Sequence, residues 1–417
     1  MPSIIANACA VRAHVNSEEG SMRWISYVLA LAAVGGCDTQ APMAPPTAAL
    51  SGRPLGTRYV VTKITSTLGG SARGTSINDR GWIAGFSNLA DNQSRHAVLW
   101  RSGTLTDLQT LGGANSNVQW PGQNERGMIV GISETAELNP LGESWSCSAF
   151  FPTETLHNCL GFVWEAGHMR ALPTLGGYNG FATGVNDRGQ IVGWAETPVH
   201  DPTCVSPQVL QFRAVVWDAS ARAPRELHPL NGDSTSAATA INARGQVVGI
   251  SGRCDVAVGE FSAQRAVVWN HGHPTNIGSL GGVAWNTPMA INNAGDVVGF
   301  SDLSGDEDGT ANFRAFFWTK EGGMKNLGTL PGDAISEAFA INARRQVVGV
   351  SCGDVACRPF LWQNGAMVDL DSLLVAGFAD SLLSARDIND AGTITGDVFD
   401  RSTGKKVPFV ATPIANH

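Results

Sequence analysis

The chain has 417 residues, with 49 Gly, 16 Phe, 12 Trp and only 15% charged side chains, a profile of many turns and short buried strands. A net charge of −8 and the lack of any Lys/Arg cluster along the chain exclude the usual electrostatic footprint for nucleic acid, which is set aside as a partner. Length alone fits several ordinary domains or one long all-β domain, so internal repetition has to decide.

In chain order, residues 1–21 precede a second Met and read as a mis-called start. Met22-Arg23 then opens a basic start, and Trp24 to Val34 is an uncharged run too short to span a bilayer as a mature helix, which is the pattern of a signal peptide over residues 1–36. The run ends in Val34-Gly35-Gly36-Cys37, which resembles the lipobox of bacterial lipoproteins. That resemblance implies cleavage before Cys37, lipid attachment to Cys37 and a membrane anchor at the bacterial envelope. Asp38 beside it resembles the inner-membrane retention signal of enteric bacteria. The mature charge stays at −8, because the segment removed carries Arg12 and Arg23 against Glu18 and Glu19. Residues 37–57 are rich in Pro, Ala and Thr without apolar periodicity, as a flexible tether is.

From Arg58 the chain repeats. Seven turns are marked by Asn78, Asn124, Asn186, Asn242, Asn292, Asn342 and Asn389, spaced 46, 62, 56, 50, 50 and 47 residues apart. Each unit predicts a first strand ending in Ile-Asn or a variant, then a turn such as Asn78-Asp79-Arg80-Gly81, where Asn bonds the turn backbone and Gly accepts positive φ. A second strand carries an apolar pair and a Gly, as in Val247-Val248-Gly249. A recurring Gly inside a strand implies close backbone approach; crowding at a ring centre is the expected cause, with a β-bulge as the alternative. A third strand ends at Trp100, Trp164, Trp217, Trp269, Trp318 or Trp362, with Ala411 in the seventh unit. A Trp at one fixed place in nearly every unit is expected to pack between neighbours. A fourth strand, such as Leu105 to Leu108 or Met367 to Leu370, usually runs into Leu-Gly-Gly.

The last unit lacks a fourth strand, while Tyr59 to Ile64, followed by Leu68-Gly69-Gly70, looks like one without a unit. The expected fold is therefore all-β: a seven-bladed β-propeller of four-stranded blades over residues 58–412, its N-terminal strand completing the last blade, with 413–417 as a tail. An open stack, such as a β-solenoid or several small sandwiches, is the alternative. Together the Leu-Gly-Gly, Ile-Asn, Gln-Val-Val-Gly and Arg-Ala-Phe-Trp elements resemble the bacterial HAF extracellular repeat family. The resemblance implies an exported repeat protein, not a reaction. Arg345 in place of the turn Gly and Gln123-Asn124 in place of Ile-Asn depart from the pattern.

Repeated residues build the scaffold, so function is expected in the variable loops between second and third strands. Six cysteines fall there: Cys147 with Cys159 and Cys352 with Cys357 as candidate local disulfides, and Cys204 with Cys254 as a candidate bridge between adjacent units. Asp302, Asp306 and Asp308 place hard oxygen ligands close together as a Ca²⁺ loop does, though a solvated acidic loop explains them as well. No other cofactor is expected. His271-Gly272-His273 lacks a third ligand and reads as a surface turn, while Arg213, Arg265, Arg314 and His96 share one register position and read as structural. No nucleophile triad, phosphate loop or zinc motif is present. Two functions stay open: a binding or scaffold module whose loop face meets a protein or glycan at the envelope, and a polysaccharide hydrolase or lyase with acidic residues in a central funnel.

Overall fold

Apolar residues alternate with small or polar ones over short runs, and the first run of each unit ends at an Asn turn, so the chain folds back on itself as antiparallel hairpins. The computed structural model describes residues 57–218, 223–305 and 312–414; Cys37, Asp306 and Asp308 lie outside the described residues. Seven four-stranded antiparallel sheets form the blades of a ring. Six are consecutive in sequence, from Gly69–Asp107 in blade 1 to Ile335–Asp369 in blade 6. Blade 7 takes Ser381–Ile388, Ile394–Asp400 and Lys405–Ile414, and its outer strand is Arg58–Lys63 from the other end of the chain. Arg58 pairs with Ile414 and Lys63 with Phe409.

The recurring Gly of the second strand faces a carbonyl, not the ring's centre. A Cβ on Gly193, Gly249, Gly349 or Gly396 would sit 1.8–2.0 Å from the first-strand carbonyl oxygen of Phe181, Ala237, Glu337 or Ser384. Register shifts in the first strand, such as that between Ala238 and Ala240, push that carbonyl across. The expected crowding at the ring centre is thereby corrected: the cause is a β-bulge repeated blade after blade.

The blades are glued by what the third strand carries. Trp217 packs among Met128, Val130 and Val163 of the preceding blade, and Trp269 among Val192 and Ala214. Trp100, Trp217 and Trp269 each donate the indole N–H to a backbone carbonyl of the connection leading into their own blade: Ser66 at 2.8 Å, Pro173 at 2.9 Å and His228 at 2.8 Å. Between them the blades share continuous apolar clusters rather than separate cores.

Two departures from the repeat have physical reasons. The first strand of blade 2 stops at Asn117 and is rejoined only at Gln123, because Pro121 has no N–H to give the ladder. Arg345 takes the turn-Gly position at φ 59°, and its guanidinium reaches back to Asp296 of blade 5 at 2.8 and 3.1 Å.

Candidate functional site

Antiparallel order puts the Asn turns and the third-to-fourth turns at one end of the ring, and the long loops with the Leu-Gly-Gly connections at the other. The turn end is built on the seven asparagines. Each side-chain Oδ1 accepts backbone N–H groups of its own turn, as Asn242 does from Arg244 and Gln246 at 3.0 Å each. Each Nδ2 donates to the backbone carbonyl of the next blade's asparagine, from Asn78 to Asn124 and onward through Asn389 to Asn78, at 3.0–3.3 Å. The result is one closed belt of hydrogen bonds around the axis.

Inside the belt lies a cavity of about 240 Å³ lined by the ends of all seven first strands. The residue after each asparagine rims it, and four of these are acidic: Asp79, Glu125, Asp187 and Asp390. Each carboxylate accepts the backbone N–H of the corresponding residue one blade back. Glu125 takes Asp79 N–H at 3.0 and 3.1 Å, Asp187 takes Glu125 N–H at 2.9 Å, Asp79 takes Asp390 N–H at 2.9 Å and Asp390 takes Ala343 N–H at 2.8 Å. The Glu125 carboxyl is pushed above its usual range by burial and by the neighbouring Asp79 and Asp187. Beneath the rim, Asp387 accepts Ile77 N–H at 2.7 Å across the blade 7–blade 1 junction.

The loop end is stiffened covalently. Disulfides join Cys147 to Cys159, Cys204 to Cys254 and Cys352 to Cys357. The pairs are those expected, and Cys204–Cys254 bridges blades 3 and 4. The blade 2 insertion is not a free arm. Glu143, fully buried, accepts Val209 N–H at 2.8 Å and Leu210 N–H at 2.6 Å from blade 3, and Trp145 donates to the Ala257 carbonyl in blade 4 at 3.0 Å. Phe150 seats against Trp120, in the break of blade 2's first strand, and Phe181 on the first strand of blade 3, with ring centroids 5.7 and 4.9 Å away.

Most of the large apolar side chains left exposed also gather at this end. Leu138, Leu141 and Leu156 belong to blade 2, Tyr178, Val199 and Val205 to blade 3, and Val283 and Val355 to blades 5 and 6. Val355 is 98% exposed and Leu138 66%. The second strands of blades 2 and 3 run on to Leu138 and His200, and it is these extensions that hold Leu138 and Val199 outward.

Among the other residues singled out, Asp302 is fully buried, with its Cβ against the Gly282 backbone, so it is held under the Leu-Gly-Gly connection rather than out in the loop. Among the described residues, the sets of three metal-ligand types join Glu134 to Cys147 and Cys159, and Asp201 to Cys204 and Cys254. The sulfurs in both sets are bonded to each other, so neither offers a thiolate. The residues preceding the third-strand Ala are structural: His96 meets Asp107 at 2.9 Å, Arg265 meets Asp233, and Arg213 lies 3.7 Å from Glu226.

Three buried carboxyls escaped sequence reasoning because nothing local marks them. Burial pushes Glu196 up to about 7, helped by the adjacent Glu143. It pushes Glu337 up to about 7 despite Arg386, and neither oxygen of Glu337 has a hydrogen-bond partner among the described residues. Asp387 also rises to about 7. In the unfolded chain all three titrate near their ordinary values of about 4. Between there and neutrality the folded state holds protons that the unfolded state has released, so stability falls as pH rises through about 7. Asp397 works in the opposite sense, held low by Arg73 and Arg386 after burial is opposed, and its contribution is lost in acid. The melting temperature is expected to be several degrees higher near pH 5 than near pH 8, and Glu337→Gln should flatten the slope. A melting temperature that rises steadily from pH 5 to pH 8 would contradict these assignments.

No protein-family model and no curated protein matches the chain. Among solved structures it is similar to a prolyl endopeptidase, at 10% identity and a TM-score of 0.45 over 85% of this chain and 52% of that one. It is also similar to a putative TolB from Agrobacterium tumefaciens, at 10% identity and a TM-score of 0.38 over 83% of this chain and 100% of that one. A dipeptidyl peptidase 4 from Porphyromonas gingivalis follows, at 9% identity and a TM-score of 0.33 over 78% of this chain and 44% of that one. The chain thus spans about half the length of the prolyl endopeptidase.

Proposed function

We propose that this is an exported, lipid-anchored binding module of the bacterial envelope whose loop face, at blades 2 and 3, engages a protein partner. The observation that carries the reading is the coincidence of exposed apolar side chains with disulfide-stiffened loops. Rigid loops lose little entropy on binding, and desolvating aliphatic side chains supplies affinity. The exposed residues of blades 2 and 3 are aliphatic apart from Tyr178, which suits a protein surface better than a sugar ring that stacks on aromatic faces. Lipid attachment at Cys37 and the likeness to HAF extracellular repeats give the address, and three disulfides agree with an oxidising compartment.

Capture from envelope extract by the chain from Asp38 onward tests this, read together with Leu138→Asp/Val199→Asp. The double variant is expected to lose the captured protein at least about tenfold while melting as the parent does. Equal capture by the double variant sinks the reading, and so does elution by free glycan alone.

A second reading, hydrolysis or lysis of polysaccharide in the central funnel, draws on the carboxylates Asp79, Glu125, Asp187 and Asp390. Each already holds a backbone N–H of the neighbouring blade. A proton-transfer role would therefore disturb the ring's own closure, which makes the funnel the weaker candidate.

A further inference from the structure

The turn face carries a pattern that partner binding at the loop face leaves unused. Two residues after the ring asparagine stands an arginine in five blades, Arg80, Arg126, Arg188, Arg244 and Arg344, and all five are exposed. They are at least 46 residues apart in sequence, and ring closure sets them on one circle. Arg188 and Arg244 each donate through one guanidinium nitrogen to a turn carbonyl of the next blade, Ala243 and Asn293, and Arg344 lies over Gly392. Held along the circle in this way, a guanidinium keeps further donors for a ligand. None of the five is in an ion pair with a carboxylate among the described residues. The acidic residues inside the circle each have an oxygen engaged by backbone N–H.

The second observation is where the chain enters. Arg58 pairs with Ile414, the end of blade 7's third strand nearer the turns, so the segment leading from Cys37 joins the ring on this same face.

We infer that the turn face docks on an anionic phospholipid surface, its arginine circle against the headgroup phosphates and its loop face turned outward. The inference rests on the lipid-anchored reading for its setting, though the contact itself needs no acyl chain. A linear polyanion would ask for a basic groove tracking one direction. Here the cations are spread around a rim built from short turns of similar length, as a planar array of headgroups requires.

Co-sedimentation with vesicles tests it, using the chain from Asp38 onward, which lacks the acyl group and whose ring is complete between Arg58 and Ile414. Binding is expected to vesicles containing phosphatidylglycerol and not to phosphatidylcholine alone, and to weaken as salt rises. Arg80→Gln/Arg126→Gln/Arg344→Gln should lower the affinity about a hundredfold, roughly fivefold for each arginine near an anionic surface, without changing the melting temperature. Lysine at the same three positions should restore most of it. Equal binding to both vesicle types, an unchanged triple variant, or tighter binding to duplex DNA than to the anionic vesicles at equal salt would overturn the inference. Incorporation of labelled fatty acid, compared with Cys37→Ser, reads the anchor separately. A chain that takes no label but prefers the anionic vesicles loses the anchor and keeps the docking face; a labelled chain indifferent to them does the reverse.

Discussion

Removal of Arg58–Lys63 is expected to destroy the single unfolding transition of the ring, not to fray one blade. Six residues of that strand pair with Lys405–Ile414, so deletion strips the outer edge of blade 7 and exposes a ten-residue strand to intermolecular pairing. Tyr59 is fully buried, and its carbonyl accepts Val375 N–H at 3.0 Å from the connection between blades 6 and 7. Lys63 joins Asp380 at 2.6 Å and Asp400 at 2.8 Å. Burial of the Tyr59 side chain alone is worth ~3 kcal/mol, and the lost strand pairing adds to it. The total is a large part of the ~5–15 kcal/mol that keeps an ordinary domain folded. The strand is also the covalent link by which blade 1 holds blade 7, so its loss reaches both sides of the junction. Differential scanning calorimetry decides the matter. The shortened chain should show a broadened transition at least ~10 °C lower and aggregate on heating. A main transition left in place with only a small new shoulder would mean that the other six blades stand without closure.

Asn242→Ala is expected to cost about 3 kcal/mol. The residue is buried, and its amide makes four hydrogen bonds: from Arg244 and Gln246 backbone N–H, to Gln246 Oε1 at 2.9 Å, and to the Asn292 carbonyl at 3.0 Å. Alanine leaves two turn N–H groups without the oxygen that caps them and takes one of its two donors from the Asn292 carbonyl, which keeps the Gly295 N–H at 3.0 Å, and unpaired groups are dearer than the bonds themselves. Asn242→Asp separates the two roles, because its oxygens still cap the turn while the donor to Asn292 is gone and a charge faces a carbonyl. Equilibrium denaturation should therefore rank the parent above both variants. A loss below ~1 kcal/mol in the alanine variant would show that water replaces the belt at little expense. By the same logic Asn292→Ala, which stands at the equivalent position, should behave alike.

Much of the scaffold is written in the sequence because a repeat reports it seven times. The Asn turns, the Trp-ended third strands and the orphan strand at Tyr59 are local patterns, and each ends within a residue or two of where it is expected, though third strands such as His157–Glu165 begin up to five residues earlier and fourth strands such as Thr104–Asp107 one residue early. Cysteine pairing was legible for a similar reason: two pairs sit within one loop each, and the third lies in loops that neighbouring blades bring together. The strand Gly does mark a close backbone approach, but the sequence leaves ring-centre crowding and a bulge both open, since the bulge whose carbonyl it makes room for leaves no mark in composition.

What resisted the sequence is everything that depends on the circle. The residue after each asparagine varies among Asp, Glu, Asn and Ala, which looks like drift until each acid is found holding the previous blade's backbone. No Lys/Arg cluster runs along the chain, yet Arg80, Arg126, Arg188, Arg244 and Arg344 share one face. Glu143 and Glu196 are 53 positions apart in ordinary polar contexts, and only the folded insertion brings them together around Gln208.

The sequence by itself therefore determined the unit, its count and the strand that closes the ring, because hydrophobic alternation and turn chemistry act over a few residues and recur. Tertiary structure alone decided which face holds charge, which holds exposed apolar side chains and which carboxyls are buried. Those properties belong to residues roughly fifty positions apart, brought into contact by the closure of the circle.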